Sequence, residues 1–98
     1  MSTKVFIIKA EYGYAVSPSP VLVPRPKGTL DFENLSDVTA TVSIPGVHPF
    51  TLKPNNKPKS VTLGSPGNGT NRVILYEVEM GNGLFARGNS APIIIRDP

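Results

Sequence analysis

Cysteine and tryptophan are absent from this 98-residue sequence, and histidine occurs once. Without cysteine the chain has no disulfide, no thiolate metal ligand and no cysteine nucleophile. A metal site needs several convergent ligands, so the single histidine, His48 in a proline-flanked loop, is predicted to be a surface or packing residue. We therefore expect neither a metal nor another cofactor. The lack of cysteine and of a signal peptide favours a reducing, cytoplasmic compartment.

Long apolar runs and a strong charge imbalance are also missing. No stretch of the chain reaches the length of apolar sequence that crosses a bilayer, so membrane insertion is not expected. Ten lysine and arginine residues against seven aspartate and glutamate residues give a net charge of +3. This charge is too mild to predict nucleic-acid binding. The length suffices for one hydrophobic core, and we predict a single domain over residues 1–98.

Helical periodicity is a third absence. The eleven prolines interrupt nearly every window that a helix would need. Alternation of apolar and polar residues is clear by contrast, as in Val38, Ala40, Val42 and Ile44, whose intervening neighbours are polar. The predicted strands are 4–9, 12–16, 20–24, 28–34, 38–44, 49–53, 60–63, 73–80 and 92–96.

The spacing of these strands predicts the fold class. Their starts recur about every 8–13 residues with turn residues between them, which indicates an all-β, antiparallel Greek-key β-sandwich of about seven to eight strands. No gap holds a crossover helix, so a parallel sheet is not expected. Residues 34–37 join two alternating strands and are predicted to form a hairpin loop. The apolar runs 5–8 and 93–95 are typical of strands that are covered on both faces or central in a sheet.

Four short patterns and one loop carry a family resemblance. They are Gly-Thr-Leu-Asp-Phe-Glu-Asn at 28–34, Phe-Thr-Leu at 50–52, Tyr-Glu-Val at 76–78, and Pro-Ile-Ile-Ile at 92–95 after a glycine-containing loop. Over residues 28–96 the chain thus resembles the cupredoxin family, the plastocyanin-like blue-copper domains. The resemblance implies a cupredoxin-like β-sandwich, and an immunoglobulin-like sandwich is the alternative.

The copper ligands of that family are missing here. In the family, the loop before the final strand and the end of the preceding strand carry a cysteine, a histidine and usually a methionine, and another histidine follows the Phe-x-Asn strand. Here Val78, Glu79 and Met80 occupy the region of the expected cysteine. Blue copper requires two histidines and a cysteine. The resemblance therefore implies the fold without the metal, and a fold alone transfers no function.

The loop between the last two strands is the first candidate contact surface. Leu84 and Phe85 lie between glycines and next to Arg87, and Asn89 follows. We predict these four residues to bind a protein partner if the protein has one. The apolar pair either packs back as a plug over the end of the sandwich or projects as an anchor. We expect the plug, because a small domain has few large side chains to leave in water.

A basic segment is the second candidate surface. No acidic residue occurs from 51 to 76, a region that contains Lys53, Lys57, Lys59 and Arg72. These four residues are candidates for contact with an anionic partner. The alternative is a solvated loop whose charges protect sheet edges from pairing with other chains.

The sequence offers little to an enzyme mechanism. Residues 81–86 fit G-x-G-x-x-A, but neither the helix nor the acidic residue that a dinucleotide site requires follows them. The pairs Asp31 with Glu33 and Glu77 with Glu79 lie at spacings that a hydrolase could use, yet solvated strand faces look the same. No nucleophile, base and orienting group occur together. The protein is therefore predicted not to be an enzyme.

Two functions remain open at this level. We expect a non-enzymatic, metal-free binding or protein-interaction module that uses loops at one end of the sandwich, because loops on a rigid scaffold usually carry binding. The alternative is a structural subunit of an oligomeric or surface assembly, including a homo-oligomer. Apolar residues on both faces of the first and last strands would suit burial between copies.

Overall fold

The computed structural model describes residues 3–11, 13–23, 28–55, 57–63, 73–87 and 92–96, with Arg96 described by its backbone alone. All regular secondary structure in these residues is β-strand, which confirms the all-β prediction. The strands are β1 (Thr3–Ala10), β2 (Gly13–Ser17), β3 (Val21–Val23), β4 (Thr29–Asn34), β5 (Ala40–Ser43), β6 (Phe50–Leu52), β7 (Lys59–Thr62), β8 (Val73–Leu75), β9 (Glu77–Met80) and β10 (Ile93–Arg96). Ten strands exceed the predicted seven to eight, in part because the predicted strand 73–80 divides at Tyr76.

The strands form three sheets. The first sheet has the order β2-β1-β4-β7, the second β3-β10-β8 and the third β6-β5-β9. One buried cluster joins all three, with Phe32 of the first sheet, Ile94 of the second and Val42 of the third each fully buried. The Phe32 ring packs edge-on against Phe50 at 5.7 Å and Tyr76 at 5.9 Å between centroids. This arrangement is compatible with a β-sandwich.

The prediction of purely antiparallel pairing is wrong. β1 pairs with β4 in parallel, and β10 pairs with β3 in parallel. Parallel neighbours need a long connection, which is usually a helix. Here the chain between β1 and β4 runs through β2 and then through β3, which belongs to another sheet. Because the crossing passes through the opposite sheet, no helix is required.

The prediction of a hairpin at residues 34–37 is also wrong. β4 lies in the first sheet and β5 in the third, so the segment crosses between sheets. The buried side chain of Asn34 explains the crossing. Its Nδ2 donates hydrogen bonds to the carbonyl oxygens of Val38 and Leu52, both at 2.8 Å, and so ties the end of β4 to the third sheet.

The two apolar runs are central in their sheets rather than covered on both faces. β1 lies between β2 and β4, and β10 lies between β3 and β8. Ile94 is fully buried, whereas its neighbours Ile93 and Ile95 are partly exposed on the outer face. The described residues contain no helix of the length and apolarity needed to cross a bilayer.

One end of the sandwich collects most of the candidate residues. β1, β4, β6 and β9 end there, and β2, β5 and β7 begin there. We call this end the loop end. It comprises residues 34–39, 53–55, 57–59 and 81–87, together with Glu11 after β1.

Candidate functional site

The segment 81–87 folds back on β9 through backbone hydrogen bonds. The N–H of Met80 donates to the Leu84 carbonyl at 2.7 Å, and the N–H of Ala86 donates to the Val78 carbonyl at 2.8 Å. Gly83 has a φ of +86°, a left-handed conformation that favours glycine and permits this tight turn. Backbone hydrogen bonds to β9 therefore hold this loop in a defined conformation.

The inward residue of this loop is Ala86, and the expected plug is wrong. Ala86 is fully buried and bridges to Tyr14, whereas Leu84 is 52% exposed and Phe85 is 39% exposed. The Ala86 hydrogen bond to β9 imposes a strand-like alternation, so the side chains before and after it point outward. The Arg87 guanidinium lies 4.9 Å from the centre of the Phe85 ring, a cation–π contact on the surface.

A polar network connects this loop to the rest of the loop end. Asn82 Nδ2 donates to the Tyr14 hydroxyl at 3.2 Å, and that hydroxyl donates to Asp37 Oδ1 at 3.1 Å. Lys9 Nζ lies 3.2 Å from Asp37 Oδ2 and completes an ion pair. The hydrogen bonds from Lys9 and then Tyr14 hold the pKa of the Asp37 carboxyl below its ordinary value.

Asn34 organises the connection at the centre of the loop end. Besides its two donated bonds, its Oδ1 accepts from the Ser36 N–H at 2.9 Å and from the Ser36 hydroxyl at 2.6 Å. These four hydrogen bonds use both the Nδ2 and the Oδ1 atom of Asn34. In the connection that Asn34 holds, the Leu35 side chain is half exposed. Sequence reasoning missed Asn34 as a structural residue. The signal was present, since Asn34 shares the strand parity of Leu30 and Phe32, a parity that directs it to the buried face.

Three of the predicted basic residues lie at the loop end, in the connection between β6 and β7 and at the start of β7. Lys53 follows β6, Lys57 lies in the connection, and Lys59 begins β7, and all three are exposed. The first sheet spans three inter-strand spacings from β2 to β7, roughly 14 Å. Two of the predicted residues, Arg72 and Asn89, lie outside the described residues. The rest of the two predicted groups thus lie at the same end of the sandwich.

The acidic pairs do not meet. Asp31 and Glu33 lie on the first sheet, where Ser60 donates a hydrogen bond to Asp31 at 2.6 Å. Glu77 and Glu79 are exposed on β9 of the third sheet. Each pair thus lies along one strand, half-buried on β4 and exposed on β9, and the two pairs belong to different sheets.

The donor set at the loop end does not fit copper. The segments that follow β4 and β9 offer one carboxylate, that of Asp37, and no imidazole or thiolate, while His48 lies at the opposite end, after β5. Within the described ranges, no three or more His, Cys, Asp or Glu side chains are grouped to hold a metal ion. We therefore derive no metal chemistry for this site.

Comparison with known proteins does not add a family to this geometry. No protein-family model matches the chain, and no curated protein shows significant sequence similarity to it.

Proposed function

We propose that the protein is a non-enzymatic, metal-free interaction module that binds a protein partner at the loop end. One observation carries the proposal. Leu35, Leu84 and Phe85 are exposed at the same end of the sandwich as Arg87 and the three lysines at 53, 57 and 59. Exposed apolar side chains at an end that also carries these four cations suit a partner that presents an apolar side chain beside carboxylates.

The local structure favours binding at low ordering cost. The hydrogen bonds of segment 81–87 and the Tyr14–Asp37–Lys9 network hold the loop before a partner arrives. A preorganised surface loses less conformational entropy on binding than a mobile one. An aromatic ring near the centre of such a surface is a typical hot spot, and the surrounding charges mainly raise the association rate.

We further propose that the sandwich is of the cupredoxin type, within a Greek-key arrangement. The resemblance implies that the loop after the Phe-x-Asn strand and the loop before the final strand converge. In support of this, the Gly81 N–H donates to the Thr39 carbonyl at 2.7 Å, so the two connections touch. An experimental structure that placed them at opposite ends would contradict this type.

Quantitative co-purification from the native cell tests the interaction. The wild type is compared with Leu84→Ala, with the double variant Lys53→Glu/Lys57→Glu, and with the control Leu22→Ala. Leu22 is 68% exposed and lies on β3 outside the loop end. The protein recovered is then titrated against each variant by calorimetry at two salt concentrations.

The proposal predicts one partner that is lost with both loop-end variants and kept with the control. We expect Leu84→Ala to weaken binding by about 1–2 kcal/mol, and we expect higher salt to weaken the wild type more than the charge-reversed variant. A partner that is lost only with Leu22→Ala would place the contact surface elsewhere.

A further inference from the structure

The edge of β8 is the least protected strand edge in the described part of the chain. β8 pairs with β10 on one side, and no described strand pairs with its other side. β5 would occupy that side if it continued, since Ser43 pairs with Glu77 directly after the β8 segment. It does not continue, because Pro45 and Gly46, with a φ of +83°, turn the chain away. A groove of about 320 Å³ remains between residues 43–45 and 75–77.

Hydrogen-bond alternation shows which backbone groups face this open edge. The Tyr76 N–H donates to the Pro92 carbonyl at 3.2 Å, so the backbone N–H and C=O groups of Tyr76 point towards β10. Along a strand, successive residues direct their N–H and C=O groups to opposite sides. Ile74 therefore also bonds towards β10, while the N–H and C=O groups of Val73 and Leu75 point to the open edge.

The side chains of β8 do not protect that edge. Val73 is 48% exposed and Leu75 is 60% exposed, and the whole strand is Val-Ile-Leu. Other edges carry the usual safeguards. β7 begins with the exposed Lys59 and β2 is followed by Pro18, while β3 is preceded by Pro20 and β6 is followed by Lys53 and Pro54. An uncharged edge whose backbone groups have no partner among the described strands is a template for an added strand.

We propose that a second copy of this chain supplies the added strand, with two β8 strands pairing antiparallel about a two-fold axis centred on Ile74. In this register Val73 faces Leu75 of the second copy twice, so apolar side chains meet without a charge. Each copy also offers the two N–H and C=O pairs that the other needs. A contact across a two-fold axis must be self-complementary. The β8 strand meets this requirement in both its side chains and its backbone groups.

The distribution of charge agrees with a second copy at this place. Tyr76 and β9 separate β8 from Lys53, which follows Leu52 at the level of Met80, by roughly 20 Å along the strand direction. Arg87 lies nearer to β8, because Phe85 pairs with Glu79 and the segment runs back along β9. The separation from Lys53 exceeds the Debye length of about 8 Å at physiological ionic strength. A dimer through β8 thus keeps the two lysine-rich ends apart, and each loop end stays free to bind its own partner.

Sedimentation of the full chain over about a hundredfold range of concentration tests the proposal. Leu75→Lys places a charge on the edge, and Val73→Pro removes an N–H that points to the edge but leaves the bonds to β10. Leu22→Lys is the matched control, because Leu22 is exposed on the same outer face but on β3, the opposite edge of the sheet. Circular dichroism verifies that each variant is folded.

We expect a concentration-dependent dimer that either β8 variant weakens about tenfold or more, while the control changes it less than about threefold. Hydrogen exchange supplies a second readout, since the Val73 and Leu75 amides gain protection only in the dimer and the Ile74 amide is protected throughout. A monomer at all concentrations would overturn the proposal. A dimer that Leu22→Lys dissociates equally would also overturn it, because face-to-face packing would then be responsible.

Discussion

The loop end and the open edge of β8 expose similar side chains in very different surroundings. Both present large apolar residues, Leu84 and Phe85 at the one and Val73 and Leu75 at the other. At the loop end the backbone beneath them is hydrogen-bonded, and the Arg87 guanidinium lies over the Phe85 ring. At β8 the backbone groups on one side have no partner among the described strands, and the strand carries no charge. Exposure alone therefore does not define a partner: the first surface offers side chains for recognition, and the second offers a strand for pairing.

The largest change in the free energy of unfolding is expected when the buried Asn34 side chain is removed from the loop end. Asn34→Ala removes four hydrogen bonds at a buried position and leaves the Val38 and Leu52 carbonyls without that donor. Buried polar groups that lose their partners cost about 1–3 kcal/mol each, so we expect a loss of about 3–5 kcal/mol in the free energy of unfolding. Urea denaturation measures it, with the exposed Asn82→Ala as control at about 0.5 kcal/mol. Equal losses would contradict the structural role of Asn34.

Tyr76 and Tyr14 should respond in opposite directions to loss of the hydroxyl. Tyr76 lies between β8 and β9, and its hydroxyl is buried with no hydrogen-bond partner among the described residues. Tyr76→Phe is therefore expected to stabilise the protein by about 1 kcal/mol. Tyr14→Phe removes bonds to Asp37 and Asn82 and should destabilise it by about 1 kcal/mol. Paired denaturation curves test the two signs, and a loss at both positions would mean that the Tyr76 hydroxyl is satisfied.

The dependence of stability on alkaline pH is a second test of the buried Tyr76 hydroxyl. Burial raises the pKa of Tyr76 above its ordinary value near 10. Above pH 10 the unfolded chain releases this proton and the folded chain keeps it, so stability is complete below pH 10 and falls as pH rises. We expect a slope of up to about 1.4 kcal/mol per pH unit that Tyr76→Phe abolishes. An unchanged slope in that variant would assign the dependence to other groups.

The smallest effect concerns the ion pair at the loop end. Because the pKa of Asp37 is held below its ordinary value, the stabilisation is present above that value and is lost as pH falls through the lowered one. Titration of the Asp37 carboxyl by nuclear magnetic resonance should show its pKa rising more in Lys9→Ala than in Tyr14→Phe. The reverse order would contradict the leading role of Lys9.

The strands were predictable because their causes are local. Alternation and turn residues predicted β4 and β5 closely and joined β8 and β9 into one strand, because period-2 patterning depends only on neighbours in sequence. The partner of each strand was not predictable in this way. Parallel pairing of β1 with β4 depends on a crossing through another sheet, which leaves no local pattern.

The sequence identified the residues of the candidate site but not their arrangement in space. Leu84, Phe85 and Arg87 stood out by composition, and so did the lysines, but their meeting at one end follows from the topology. The exposure of Phe85 was mispredicted, because the inward position belongs to Ala86 through a hydrogen bond to β9. Asn34 was overlooked since its role requires the third sheet to be in place.

The central claim is that Phe85 serves a partner rather than the core, and one variant tests it directly. Phe85→Ala is measured for both its free energy of unfolding and its affinity for the co-purified partner. We predict a stability loss of about 1 kcal/mol, well below the 3–5 kcal/mol of a buried phenylalanine, and an affinity loss of about 2 kcal/mol, roughly 30-fold in Kd. A stability loss of 3 kcal/mol or more with unchanged affinity would contradict the account and make Phe85 a core residue.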